Sequence, residues 1–143
     1  MSSEFTITRT VEFAETDMAG IMHFSNYFRW MEACETAFCR SLGLPLLTFT
    51  PGQVAGWPRV NVGCEYRAPL RFGDTVEVRL LVRKIGTSSI TYAFQFRRSG
   101  ELVAKGELTA VHARGGAEGG MTAQPIPAEI RAKFHEAPAA ALQ

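Results

Sequence analysis

One stretch, residues 11–35 (VEFAETDMAGIMHFSNYFRWMEACE), decides most of what this chain can become. It opens like a strand, breaks at the acid Asp17, passes Gly20 and turns into a long aromatic helix. Projected at about 100° per residue, Phe24, Tyr27, Phe28, Met31, Cys34, Phe38 and Leu42 fall on one broad apolar arc, opposite Asn26, Arg29, Thr36 and Arg40. An arc this wide can be wrapped by a sheet. The helix is expected to begin around Phe24 or Ser25, where a serine can cap free N–H groups, and to stop near Gly43, with Pro45 behind it. Glu35 projects into the apolar arc, and two readings stand: a buried carboxylate with a partner, or a second catalytic acid.

The flanking segments read as strands. Residues 5–13 alternate before the acid, and residues 59–67, 75–85, 89–97 and 102–113 alternate after the helix. Residues 69–74 and 98–101 read as turns, so the strands connect as a meander and the sheet is expected to be antiparallel. Residues 44–58 carry Pro45, Pro51, Gly52, Gly56 and Pro58, and are read as a loop that forms a lid or pocket wall, with two readings for Trp57: lining that pocket, or ordinary packing. After Arg114 the run GGAEGG reads as a flexible break, and residues 127–136 as a short helix followed by a fraying tail.

A length of 143 residues suits one domain with a real core, and a net charge of +1 offers no basic field for nucleic acid or a membrane surface. No apolar run approaches the roughly 20 residues of a membrane span, and the N-terminus lacks a charged-then-apolar signal pattern. A cytoplasmic protein is expected. Cys34, Cys39 and Cys64 show no zinc spacing and read as reduced packing residues; the two on the helix lie away from its activating N-terminus. His23, His112 and His135 are widely separated and form no ligand set, so no metal is expected.

On the residues alone, Asp17 has two readings. A carboxylate before a helix start is a common cap or turn residue. It also lies beside unpaired N–H donors and the positive end of the helix dipole, which suit an oxyanion developing during acyl transfer while the acid supplies the attack.

The element order, together with Asp17, Gly20, Asn26 and Tyr27 in TDMAGIMHFSNYFRWME, resembles the hot-dog fold and, within it, the 4-hydroxybenzoyl-CoA thioesterase family. The resemblance covers nearly the whole chain. Its sharpest part is the spacing D-x-x-G-x-x-x-x-x-N-Y; Glu32 is a softer match. It implies an α+β hot-dog fold, with a curved antiparallel sheet of about five strands wrapped around a long central helix. It also implies a single domain over residues 1–143, with a flexible C-terminal tail from about residue 114.

The function implied is hydrolysis of an aryl or short-to-medium acyl-CoA to the free acid and CoA. Asp17 would act as nucleophile or as general base, with the Phe24 backbone N–H at the helix start as oxyanion donor. Gly20 would turn the chain tightly beside the substrate, with Ser25, Asn26, Tyr27 and Trp57 as further substrate contacts. Some bacterial relatives carry Tyr then His before the small residue and Asn, whereas this chain has His23 then Phe24. A mechanism needing an imidazole at the second position therefore fails, and His23 either assists from the adjacent position or packs beside the pocket.

Arg83, Lys84, Thr87, Ser88 and Ser89 are the implied CoA contacts, against the plain reading of a solvated hairpin end. No cofactor is implied, since CoA is part of the substrate. The implied assembly is a homodimer paired edge to edge with active sites at the interface, extending to a homotetramer. The alternatives are an acyl carrier protein thioesterase and a noncatalytic acyl-CoA binding module.

Overall fold

The computed structural model describes residues 3–116 and 119–143. In chain order the elements are β1 (Glu4–Thr10), a 3-10 helix (Phe13–Glu15), α1 (Asn26–Ser41), β2 (Leu47–Thr50), β3 (Gln53–Gly56) and β4 (Arg59–Tyr66). There follow β5 (Thr75–Ile85), β6 (Ser89–Arg98), β7 (Glu101–Val111), β8 (Ala113–Gly116), β9 (Met121–Ala123), α2 (Ala128–Arg131) and a second 3-10 helix (Ala139–Leu142).

Strict alternation builds the main sheet. Val76, Val78, Leu80 and Val82 of β5, and Ile90, Tyr92, Phe94 and Phe96 of β6, are buried on one face. The sheet has the order β1-β5-β6-β7-β4, with every neighbouring pair antiparallel. Helix α1 packs against β1, β4, β5 and β7. At 16 residues it is about 24 Å long, an ordinary helix rather than the long one expected.

The buried side of α1 is rotated from the expected arc. Phe24 lies outside the helix and is 61% exposed, while Asn26 and Trp30 are buried with Tyr27, Met31, Cys34, Glu35 and Phe38. The cause is tertiary: the segment after β1 covers the flank on which Asn26 and Trp30 lie, and Glu15 accepts hydrogen bonds from both side chains. The Arg9 guanidinium also lies 5.7 Å from the Trp30 ring centroid.

Two segments read as irregular are ordered by pairing. Part of residues 44–58 forms a hairpin, β2 with β3, which joins β8 and β9 in a four-stranded sheet of order β2-β3-β8-β9. The Pro51-Gly52 pair is the turn of that hairpin, with Gly52 at φ +75°, a conformation that favours glycine. Within the GGAEGG run, Ala117 and Glu118 lie outside the described residues.

The segment expected as a flexible tail carries single apolar anchors. Ile126 and Phe134 are buried in the main core, and Ala137 packs with Leu81 and Ala93 on the outer sheet face. The Ala137 N–H donates to the Val82 carbonyl at 2.7 Å, and Lys133 Nζ donates to the Leu42 carbonyl at the α1 C-terminus at 3.1 Å. Isolated anchors separated by polar residues have no periodicity for a sequence reading to detect. No helix among the described residues is long and apolar enough to cross a membrane.

The turn into β5 is held by Asp74. Its Oδ2 accepts from the Arg71 N–H at 2.8 Å and from Arg98 Nη1 at 3.0 Å, while the Val11 N–H donates to the Asp74 carbonyl at 2.9 Å. The Arg71 backbone N–H, and then Arg98, hold this carboxyl below its ordinary range. A lowered folded-state pKa gives stability that is present above the unfolded value of about 3.9 and lost as pH falls through the folded value. Asp74→Asn is expected to cost about 1 kcal/mol at neutral pH. Urea unfolding across a pH series should show that deficit closing as the pH drops below the aspartate range.

Candidate active site

The break at Asp17 folds as a small hairpin. The Asp17 N–H donates to the Ile21 carbonyl at 2.8 Å, the Gly20 N–H donates to the Asp17 carbonyl at 3.0 Å, and Thr16 bridges to Met22. This is a three-residue loop ending in a glycine at φ +81°, where a side chain would be strained. The Asp17 carboxylate takes part: Oδ1 accepts from the Ala19 N–H at 2.8 Å and the Ile21 N–H at 3.4 Å. Oδ2 has no hydrogen-bond partner among the described residues. The turn role therefore falls on one oxygen of the carboxylate alone.

The following residues are pinned on two flanks. The Met22 N–H donates to the Leu70 carbonyl at 2.7 Å, and the His23 N–H donates to the Glu15 carbonyl at 2.8 Å. Asn26 Nδ2 also donates to the Glu15 carbonyl, at 2.9 Å, and Trp30 Nε1 donates to Glu15 Oε2 at 2.8 Å. Glu15 thus couples the Asp17 hairpin to the first two turns of α1. Sequence reading missed it, because a glutamate in a polar connecting segment shows no pattern that marks it as a hub.

Asp17, Phe24 and Tyr27 come together in an open groove of about 510 Å³, whose opposite wall is Tyr66, Arg67 and Pro69 from the end of β4 and the turn beyond. The Phe24 N–H donates to no backbone carbonyl among the described residues. Tyr27 is nearly fully buried, and burial pushes its phenol up to about 12, so it keeps its proton. Its ring meets Tyr66 edge-on at 4.8 Å and Phe96 at 5.4 Å.

Other expected site residues serve the scaffold. Ser25 precedes α1 but makes no side-chain cap; its hydroxyl lies 2.7 Å from His23 Nδ1, which also accepts the Ser25 N–H at 3.2 Å. The His23 ring stacks on Phe24 at 4.5 Å. Asn26 is spent on Glu15, and Gly20 shapes the turn without lining the groove.

Trp57 lies elsewhere. It shares a small enclosed cavity with Glu35, Cys39 and Tyr92, and its ring is 5.1 Å from that of His112. Glu35 is 1% exposed and both of its oxygens engage Arg59, Oε2 at 3.0 Å from Nη1. Burial raises this carboxyl and Arg59 opposes the rise. Burial also pushes the Cys34 and Cys39 thiols up to about 12, which keeps both protonated at neutral pH.

Arg83, Lys84, Thr87, Ser88 and Ser89 lie at the β5–β6 hairpin, and none lines the Asp17 groove of its own chain. Arg83 pairs with Glu107 at 3.2 Å, and the Thr87 carbonyl accepts from the Ile126 N–H at 2.9 Å. Among the described residues, no group of three His, Cys, Asp or Glu side chains is placed to hold a metal ion.

Known proteins are similar to this chain over most of its length. The family described as the Thioesterase-like superfamily matches residues 11–134. A 1,4-dihydroxy-2-naphthoyl-CoA hydrolase from Prochlorococcus marinus is 34% identical over 104 residues, covering 68% of this chain and 69% of that protein. The structure of a gentisyl-coenzyme A thioesterase superposes with a TM-score of 0.74 at 29% identity, covering 90% of this chain and 98% of that one. The 4-hydroxybenzoyl CoA thioesterase from Pseudomonas sp. strain CBS-3 superposes with a TM-score of 0.78 at 20% identity, over 92% of this chain and 99% of its own, a likeness of fold.

Proposed function

This chain belongs to the Thioesterase-like superfamily, and from that premise we propose that it hydrolyses an acyl-CoA thioester to the free acid and CoA, with an aryl acyl group favoured. The observation that carries the site assignment is the division of labour on Asp17: Oδ1 is held by two turn N–H groups while Oδ2 is left for chemistry beside Phe24 and Tyr27.

Two routes are compatible with that carboxylate. In one, Oδ2 bonds to the thioester carbon, the C–S bond breaks to release CoA thiolate, and water cleaves the resulting anhydride. In the other, Oδ2 takes a proton from a water that attacks the same carbon, and the thiolate leaves. Either way the carbonyl oxygen gains negative charge, and the Phe24 N–H at the start of α1 is the proposed donor to it. The rings of Phe24, Tyr27 and Tyr66 supply a wall suited to an aryl group. The relatives named for naphthoyl and gentisyl thioesters support that choice.

A second copy is part of the proposal. Among the described residues strand β4 pairs only with β7, so one edge of it is open there, and Val60 and Val62 on that strand are exposed. Pairing of two such edges would cover them. The five hairpin residues from Arg83 to Ser89 are then proposed CoA contacts at a groove completed by the neighbouring copy.

The test is thiol release from benzoyl-, hydroxybenzoyl-, phenylacetyl-, short-, medium- and long-chain acyl-CoAs. The expected result is turnover with an aryl ester preferred. Binding of these esters without thiol release would replace the enzyme by a binding module, and release from an acyl carrier protein ester alone would change the carrier.

A further inference from the structure

The groove wall contributed by β4 carries a hydroxyl aimed at the start of α1. Tyr66 Oη donates to the Phe24 carbonyl at 3.0 Å, across the groove that Asp17 also lines. The Tyr66 ring is itself fixed, edge-on to buried Tyr27, which packs in turn on Phe96 in the core. The Phe24 side chain has less support: it lies outside the helix, is 61% exposed and stacks on the neighbouring His23. The peptide that carries its N–H is held from the other side, where the His23 carbonyl accepts from the Asn26 N–H at 3.0 Å. The bond from Tyr66 is the one hydrogen bond to residue 24 among the described residues, and it ties that residue to a strand of the main sheet.

From this geometry we infer that Tyr66 is a positioning residue: its bond holds the 24–25 peptide. Together with the Asn26 N–H bond to the His23 carbonyl on the preceding peptide, it fixes the backbone of Phe24 on both sides of its Cα and the direction in which its N–H meets the developing oxyanion. The inference rests on the thioesterase reading above. Tyr66 forms no bond to the reacting atoms. It removes rotational freedom from a donor that is useful only when preorganised, so its effect falls on the chemical step and leaves ground-state binding alone.

The experiment compares wild type with Tyr66→Phe, which keeps the ring and its packing on Tyr27 and deletes the hydroxyl. Three quantities are read: kcat and KM on the best thioester, affinity for a nonhydrolysable S-alkyl CoA thioether, and the melting temperature. The expected result is a kcat lowered about five- to tenfold, as for the loss of one neutral hydrogen bond. KM, thioether affinity and melting temperature should be unchanged. An unaltered kcat overturns the inference. So does a raised KM or a weakened thioether affinity with kcat intact, which would make the Tyr66 hydroxyl, and not only its ring, a substrate contact. If wild type releases no thiol from any ester, the thioesterase reading falls and this inference falls with it, an outcome distinct from an active wild type matched by an equally active variant.

Discussion

Asp17→Asn is expected to lower turnover of the best thioester at least about a hundredfold, a loss of about 2.7 kcal/mol of transition-state stabilisation, with the fold intact. The structure makes this an unusually clean substitution. An asparagine carbonyl oxygen can still accept from the Ala19 and Ile21 N–H groups, so the hairpin that places residue 17 survives. The amide nitrogen replaces Oδ2 and can neither attack a carbonyl nor accept a proton from water. Asp17→Ala would remove the turn contacts as well and mix a folding effect with a chemical one. The measurement is single-turnover thiol release by both proteins, with circular dichroism as the folding check. A folded variant within tenfold of wild type would move the chemistry off this residue.

Glu35→Gln supplies the contrast. Glu35 lies in a separate cavity and is engaged by Arg59, so its neutral isostere is expected to leave kcat within a few-fold of wild type.

The largest stability effect is expected from the other end of that ion pair. Arg59→Met leaves Glu35, 1% exposed, without its cation, and removing one partner of a buried pair costs about 3–5 kcal/mol. That corresponds to a melting temperature lower by roughly 10 °C. Glu35→Gln should cost less, because Arg59 keeps 27% of its side-chain surface in water and can be solvated there. The double variant should be less destabilised than the sum of the two, since the orphaned charge is then absent.

The pH dependence of Arg59→Met follows from the direction of the Glu35 shift. Burial raises its folded pKa, and Arg59 supplies the opposing pull, so removing Arg59 raises it further. A carboxyl with a raised folded pKa costs stability as pH climbs from the unfolded value of about 4.3 through the folded one. The deficit of Arg59→Met should therefore shrink as the buffer is made acidic, as read from denaturant midpoints across a pH series. A deficit that does not vary with pH would mean that packing of the arginine stem, and not the stranded carboxylate, carries the cost.

Much of the scaffold was legible because it follows period. Strand β5 runs Thr75–Ile85 as the alternation predicts, and the starts of β4 and β6 at Arg59 and Ser89 also agree. The helix, its end near Gly43 and the antiparallel run β5-β6-β7 were legible too, since each depends on residues close in sequence. The resemblance carried by Asp17, Gly20, Asn26 and Tyr27 reached the family for the same reason: its spacing is local. The link from β4 to β5, read as one more meander turn, instead carries the chain between opposite parts of the sheet, with β4 at the far edge on β7 and β5 between β1 and β6. That is a long-range pairing, which local alternation does not encode. The second sheet was not legible, although Pro51-Gly52 is a turn signal, because β3 finds its partner β8 far along the chain.

By itself, then, the sequence determined the wrapped-helix architecture and the acid at the break before α1. Tertiary structure alone decided which neighbours of that acid share its groove. Tyr66 and Arg67 arrive from the end of β4, Asn26 and Trp30 turn inward to Glu15, and Trp57 joins Glu35 in a different cavity. The physical reason is that periodicity reports which face of an element avoids water, whereas a groove between elements depends on long-range pairing and on single hydrogen bonds that no local pattern encodes.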